Sequence, residues 1–153
     1  MTEQFKPNTT VAAIIHHQGK YLIVEEIDDG KVVYNQPAGH LEANESIIDA
    51  FKREVYEETG LTLCPDYISG IYYNYRDDIN LYYLRFCFVC ELTSFLTTSP
   101  NDSDIIQALW LTKEQLLAKG DSIRSPLVVE CINDYEDGKH YPLDILSSNV
   151  SAN

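Results

Sequence analysis

One strongly amphipathic helix is predicted between Asn44 and Gly60, in a chain whose other apolar runs are short. Asn44 is expected to be its N-cap, with Glu45 in the first turn, where the helix dipole favours negative charge. Gly60 is suited to the C′ position. Three apolar residues recur at spacings of three and four and form the buried stripe: Ile48, Phe51 and Val55. A helix of this kind requires other elements to cover its apolar face.

Short β-rich runs surround this helix. They span residues 9–16, 20–26, 31–35, 67–75, 81–92 and 105–111. The turn at Gln18-Gly19 predicts a hairpin, and residues 28–30 predict a second turn. Residues 36–40 are expected to interrupt regular structure.

Two further helices are predicted in the second half of the chain. Thr112 and Gln115 form a capping box for a short helix that ends at Gly120. Ser125 and Pro126 begin a last helix that runs to about residue 137. A chain of 153 residues is expected to form one domain, 1–153, of the α+β class, with a mixed sheet flanked by helices.

The chain is acidic, with a formal net charge of −13. This charge disfavours nucleic acid and anionic lipid as partners. No signal peptide and no apolar span of membrane length is apparent, so a reduced cytoplasmic setting is the default expectation. The expected assembly is a monomer or a homodimer. Phosphate substrates remain compatible with the charge if cations lie between carboxylates and phosphates.

Cys87 and Cys90 form a C-x-x-C pattern, which in other settings binds zinc. Here they lie in an apolar run with strand character. Residues three apart in a strand point to opposite faces, so two buried thiols are expected instead of a shared metal.

The carboxylates of the helix are its most informative feature. Glu54, Glu57 and Glu58 neighbour one another on its surface, and like charges at this spacing destabilise an isolated helix. Arg53 can pair with Glu57, which leaves Glu54 and Glu58 without a local cation. At about 100° per residue, Glu58 lies about 50° from the centre of the apolar stripe and Glu54 about 90°. Such a border suits a Mg²⁺ or Mn²⁺ site, although structural ion pairs also occupy such positions.

Residues 39–61 resemble the complete signature of the Nudix family. The pattern is G-x5-E-x7-R-E-U-x-E-E-x-G-U, and this chain has all seven fixed residues, from Gly39 to Gly60. Val55 and Leu61 occupy the apolar positions. The resemblance implies a Nudix fold, a mixed sheet between helices, and hydrolysis of phosphoanhydrides.

The resemblance also implies site residues. Glu54, Glu57 and Glu58, with the carbonyl of Ala38, would bind two or three Mg²⁺ ions, or Mn²⁺. Glu45 and Arg53 would support the loop and the helix around them.

Segments beyond the signature resemble one branch of this family, which consists of phosphatases. They include residues 5–7, 35–42, 102–105, 124–128 and 141–143. That resemblance implies release of orthophosphate from nucleoside triphosphates and diphosphates. It also implies action on hydroxymethylpyrimidine pyrophosphate, a thiamine precursor. The alternatives are a pyrophosphatase for dinucleoside polyphosphates, nucleotide sugars or ADP-ribose, and a nucleotide-sensing module without turnover.

Other candidate residues lie outside the signature. Asp102 and Asp104 are candidate general bases on a loop, where Asx-turn chemistry is the alternative interpretation. Otherwise Glu57 would serve as both base and ligand. Three arginines are candidates for binding phosphate: Arg124, Arg85 and Arg76. Tyr34 and Tyr73 are candidates for stacking on a flat ring, and core packing is the alternative.

Overall fold

A computed structural model describes residues 2–150. Its strands are β1 (Asn8–His17), β2 (Lys20–Asp28), β3 (Lys31–Asn35), β4 (Ala38–His40), β5 (Tyr67–Arg76), β6 (Leu81–Glu91) and β7 (Ile105–Thr112). Its α-helices are α1 (Ile47–Thr59), α2 (Lys113–Leu117) and α3 (Pro126–Glu136). Short 3-10 turns follow at Gly120–Ser122 and Leu143–Ile145.

The seven strands form one mixed sheet. Its main order is β3-β2-β1-β6-β5, with β4 paired to β1 and β7 paired to β2. Only the β1–β6 pair is parallel among the named strands, and the other pairs are antiparallel. β1 therefore lies at the centre, with β6 on one side and β4 and β2 at its two ends on the other.

Alternation along β1 divides the core into two layers. Val11, Ala13 and Ile15 belong to the cluster that includes Phe51 and Val55 of α1. The alternate residues Ala12 and Ile14 of β1 belong to a second cluster, which includes buried residues of α2 and α3. The sheet is thus sandwiched between helices, which confirms the predicted fold class.

The thiols of the C-x-x-C pattern follow the same alternation. Cys90 packs in the α1 layer and Cys87 in the α3 layer. Both are free and buried. As the strand period predicts, they point to opposite faces of β6.

The predicted C-terminal end of α1 is correct, and its predicted N-cap is wrong. Gly60 ends the helix in the left-handed region at φ 77°, as expected. The N-cap is Ser46 instead of Asn44, because the Ser46 side chain accepts a hydrogen bond from the Asp49 N–H. Asn44 itself has φ 65°, and Glu45 precedes the helix.

Two other boundaries differ from expectation. Residues 36–40 were expected to interrupt regular structure, but Ala38–His40 forms strand β4, which pairs with β1. The capping box of Thr112 and Gln115 is present, but α2 ends at Leu117. Ser125 precedes α3 with Pro126 at its start, yet its side chain makes no capping hydrogen bond.

Within residues 2–150, no helix combines the length and the apolar character that crossing a membrane requires.

Candidate active site

A cavity of about 370 Å³ lies where α1, β4 and the start of α3 meet the sheet. Glu54 and Glu58 line it from α1, and Ala38 and Gly39 line it from β4. Polar groups of β1, β5 and β6 form another part of the wall: Thr10, Asn74, Arg76, Tyr83 and Arg85. The cavity therefore joins a carboxylate wall to a wall that carries cations.

Arg53 organises the carboxylate wall. Its guanidinium donates two hydrogen bonds to Glu45, with N–O distances of 3.0 and 2.8 Å. It also donates to the carbonyl of His40 at 2.9 Å and to Glu54 at 2.7 Å. Glu57 lies 3.4 Å from the same guanidinium. The loop before α1 and the carboxylates on α1 are thus held by one side chain.

The pairing of Arg53 differs from the sequence expectation in one respect. Glu57 was expected to be its partner, but Glu54 makes the shorter contact, because the guanidinium turns toward the loop and Glu45. The hydrogen bond with Arg53 lowers the pKa of Glu45. Glu45 also accepts the Glu42 N–H at 2.8 Å, so its carboxylate closes the loop.

Glu58 is the most buried carboxylate of the site, with 6% of the residue exposed. Burial raises its pKa well above the usual range, and the nearby carboxylates of Glu26, Glu54 and Asp102 raise it further. A hydrogen bond from the Ala38 N–H, at 2.8 Å, acts in the opposite direction. Burial also raises the pKa of Glu54 despite its contact with Arg53. Negative charge is concentrated here beyond what local cations offset.

Gly39 permits the close approach of β4 to Glu54. A Cβ added at Gly39 would lie 2.1 Å from the Glu54 Cδ and 2.2 Å from its Oε1. Contacts of this length do not occur, so any side chain here would displace the carboxylate. Glycine at this position therefore allows the Glu54 carboxylate to lie where it does.

The donor set suits a divalent cation in part. Glu54 and Glu58 present hard oxygen ligands to one cavity, and Glu58 has no cationic partner in the described chain. No group of three or more His, Cys, Asp or Glu side chains within residues 2–150 is already gathered as a metal site. The Glu57 carboxylate lies against Arg53 and outside the cavity lining. A role for Glu57, or for the carbonyl of Ala38, as a ligand stays a prediction.

The loop aspartates do not line the cavity. Asp102 accepts the Asp104 N–H at 2.9 Å, which is the Asx-turn interaction that its sequence also suggests. Its own N–H donates to the Glu57 carbonyl at 3.0 Å, and its charge reaches Glu58. Asp104 is exposed. A general base at either position stays a prediction, and Asp102 is the better placed of the two.

All three candidate arginines line the cavity. Arg124 pairs with the buried Glu26 at 2.5 Å, and Arg76 pairs with Asp78 at 2.6 Å. Arg85 lies on β6 and pairs with no carboxylate in the part of the chain described.

The candidate tyrosines are not brought to the cavity. The Tyr34 hydroxyl donates to Glu25 at 3.1 Å, and its ring packs against the α3-side core. Tyr73 is 64% exposed and stacks near Tyr82. Side chains alternate in direction along a strand. Asn74 lines the cavity, so its neighbour Tyr73 points away from the cavity.

Several residues of the cavity were not predicted from the sequence, among them Thr10, Asn35, Asn74 and Tyr83. The alternation of β6 offered one signal, since Tyr83 lies two positions from Arg85 and shares its face. Thr10 reaches the cavity through the pairing of β1 with the distant strand β6, where it lies opposite Arg85.

Comparison with known proteins indicates the family of this chain. The sequence matches the family described as NUDIX domain over residues 5–131. It is 44% identical over 142 residues to the phosphatase NudJ of Shigella boydii, covering 93% of this chain and 92% of the relative.

Solved structures show the same likeness. A NUDIX hydrolase from Nitrosomonas europaea superposes with a TM-score of 0.88 and 48% identity, covering 94% of this chain and 98% of the other. The NUDIX domain of NrtR from Shewanella oneidensis, complexed with ADP ribose, has a TM-score of 0.73. At 17% identity, over 88% of this chain and 90% of that one, it shows a likeness of fold alone. Because the family match and the more similar relatives span most of the sequence, this chain belongs to the Nudix family and is a phosphohydrolase.

Proposed function

We propose that this enzyme hydrolyses phosphoanhydride bonds with Mg²⁺ or Mn²⁺ as cofactor and releases orthophosphate. Its proposed substrates are nucleoside triphosphates and diphosphates, and hydroxymethylpyrimidine pyrophosphate. The observation that carries the proposal is the presence, in the lining of one cavity, of the Glu54 and Glu58 carboxylates together with three arginines. Identity of 44% to a relative named phosphatase NudJ supports the release of orthophosphate, and the substrates are those that the sequence resemblance implies.

Nudix enzymes generally use divalent metal ions, and the carboxylate wall fits that chemistry. Glu54 and Glu58 would hold the ions, with Glu57 reaching them after a change of rotamer. Bound there, divalent cations neutralise phosphate oxygens and lower the pKa of the attacking water. Arg53 limits where the Glu54 and Glu57 carboxylates can lie.

The water that attacks phosphorus must lose a proton to a carboxylate. Glu57 and Asp102 are the two proposed acceptors. Glu57 lies beside Glu54 on the Arg53 guanidinium, and Asp102 lies near Glu58 on the adjoining loop. The Asp102→Asn variant distinguishes them: normal turnover would leave Glu57 as the base.

A substrate panel with product analysis tests the proposal. We expect orthophosphate from nucleoside triphosphates, nucleoside diphosphates and hydroxymethylpyrimidine pyrophosphate, with no activity in EDTA. Exclusive release of pyrophosphate, or cleavage only of dinucleoside polyphosphates, nucleotide sugars or ADP-ribose, would contradict it. Binding of nucleotide without turnover would indicate a sensing module.

A further inference from the structure

Arg85 is the most deeply buried cation of the cavity. Only 9% of the residue is exposed, although it lines the cavity wall. Its Nε donates to the Thr10 hydroxyl at 3.4 Å, and Nη1 donates to the Gln36 side-chain oxygen at 3.3 Å. Both contacts are long, and both acceptors are neutral. A guanidinium has five N–H donors, so most of this one remains available.

The other two arginines of the cavity differ from Arg85 in this respect. Arg124 is neutralised by Glu26, and Arg76 is neutralised by Asp78. Among residues 2–150, no carboxylate forms an ion pair with Arg85. A buried charge is normally paired, because leaving water is costly for an isolated ion. The missing partner of Arg85 is therefore expected to be an anion that enters the cavity.

A second side chain in the same cavity also lacks a partner. Asn35 is 4% exposed, and its buried Oδ1 has no hydrogen-bond partner in the described structure. Buried polar atoms without partners are rare in native proteins, and they often mark a missing ligand or water. The Asn35 oxygen accepts hydrogen bonds, so it indicates a missing donor such as a water molecule or a ligand hydroxyl, whereas the anion is indicated by Arg85.

We propose that Arg85 binds a phosphate group of the substrate, and that inorganic phosphate or pyrophosphate binds at Arg85 without any divalent cation. The planar guanidinium fork suits two phosphate oxygens. The identity of the anion rests on the proposed function, since phosphates are its substrates and products. A phosphate site at Arg85 also explains how a protein with a net negative charge binds an anion in a cavity that Glu54 and Glu58 line.

The test measures binding of inorganic phosphate and pyrophosphate in EDTA, by calorimetry and by the shift in melting temperature. Sodium chloride of equal ionic strength is the reference. We expect wild-type protein to bind pyrophosphate and Arg85→Gln to lose at least tenfold in affinity. Lys31→Gln is the matched control, because it removes one positive charge from an exposed position outside the cavity.

Equal affinity in Arg85→Gln and wild type would overturn the proposal, as would no binding by the wild type above the chloride reference. If Arg85→Gln does not fold, Arg85→Lys replaces it. Loss of the fork is expected to weaken binding severalfold, and unchanged affinity counts against the assignment. Turnover with Mg²⁺ is measured in parallel. If the enzyme hydrolyses its substrates with Mg²⁺ but binds no phosphate or pyrophosphate in EDTA, only the Arg85 proposal fails. If it binds these anions in EDTA but hydrolyses no substrate, only the proposed function fails.

Discussion

Glu58 has an environment that stability alone does not favour. Its carboxylate is buried, receives one hydrogen bond from the Ala38 N–H, and lies near three other carboxylates. Burying an ion without a counter-ion costs free energy, and proteins retain such costs mainly at functional sites. Removing the charge of Glu58 should therefore raise the stability of the protein and lower its activity.

Replacing Glu58 with Gln tests this opposition. Gln keeps an oxygen for the Ala38 N–H and removes the charge. We expect turnover at saturating Mg²⁺ to fall on the order of 10²–10⁴-fold. In EDTA, the melting temperature should rise above that of the wild type.

Glu57→Gln is the matched control for that variant. It should also reduce turnover, but without a gain in melting temperature, because Glu57 is partly exposed and loses its contact with Arg53. Full turnover in both variants would refute the assignment of these glutamates.

Gly39 provides a second prediction at the level of one residue. In Gly39→Ala, the new methyl would occupy the position of the Glu54 carboxylate, with a contact of 2.1 Å. We expect kcat/KM to fall on the order of 10²-fold or more, since a small displacement of catalytic groups has effects of this size. The Mg²⁺ concentration for half-maximal rate should rise. Wild-type kinetics in a folded Gly39→Ala protein would show that Glu54 need not stay where the structure places it.

The C-terminal end of α1 fixes the loop that carries Asp102. The Ser99 N–H donates to the Thr59 carbonyl at 2.8 Å, and the Asn101 N–H donates to the Glu57 carbonyl, also at 2.8 Å. The Glu57 and Thr59 carbonyls at the end of the helix are thus satisfied by this loop. Gly60 makes the arrangement possible, because a Cβ there would lie 2.3 Å from the Ser99 carbonyl oxygen.

Gly60→Ala should therefore destabilise the protein through both conformation and contact. Its φ of 77° strains any side chain, and the Ser99 backbone cannot easily move. We expect a loss of about 2–4 kcal/mol in the free energy of unfolding. Chemical denaturation measures this loss. Gly138→Ala is the control, since its φ is 82° and its Cβ would meet nothing within 4 Å. An equal loss in the two variants would mean that the contact with Ser99 contributes nothing.

The elements that sequence predicts well are those set by neighbouring residues. The end of α1 at Gly60 and the capping box of Thr112 depend on chemistry within a few positions. Asn44 was the wrong N-cap because the Ser46 side chain accepts the Asp49 N–H, while Glu45 pairs with Arg53, eight residues along the chain. β4 was missed because a strand of three residues exists only through its pairing with β1.

The candidate site divides in the same way. The signature glutamates lie on one helix and are found by spacing alone. Arg85 and Thr10 meet only because β1 and β6 pair in parallel across 75 residues of sequence, which no local pattern encodes. Tyr73 lies outside the cavity lining for a related reason, since the sequence of a strand does not reveal which of its two faces meets the cavity.

At the scale of the whole molecule, tyrosines fasten the last turns of α3 to the sheet. The Tyr21 hydroxyl donates to Glu136 at 2.7 Å, and the Tyr72 hydroxyl donates to Asp134 at 2.6 Å. Tyr135 of the helix donates to Glu91 at the end of β6. Burial first, and the carboxylate partners second, raise the pKa of all three phenols. The packing of α3 is therefore linked to the protonation of these tyrosines.

This linkage predicts how stability depends on pH on the alkaline side. In the unfolded chain a phenol ionises near a pKa of about 10, whereas the folded protein holds it neutral to higher pH. The stabilisation is fully present below pH of about 10 and is lost as pH rises through the folded-state values. The formal net charge of −13 adds repulsion as phenolates form.

Denaturation curves measured between neutral pH and pH of about 11.5 test this linkage. Tyr72→Phe should be less stable than wild type at neutral pH, because Asp134 loses its phenol donor. Its stability should then fall less steeply with pH, because one titrating group is gone. Tyr56→Phe is the control, since Tyr56 is 50% exposed, and its curve should parallel that of the wild type. Identical slopes for Tyr72→Phe and wild type would show that this phenol ionises equally in the folded and unfolded states, so that the Asp134 bond does not hold its proton.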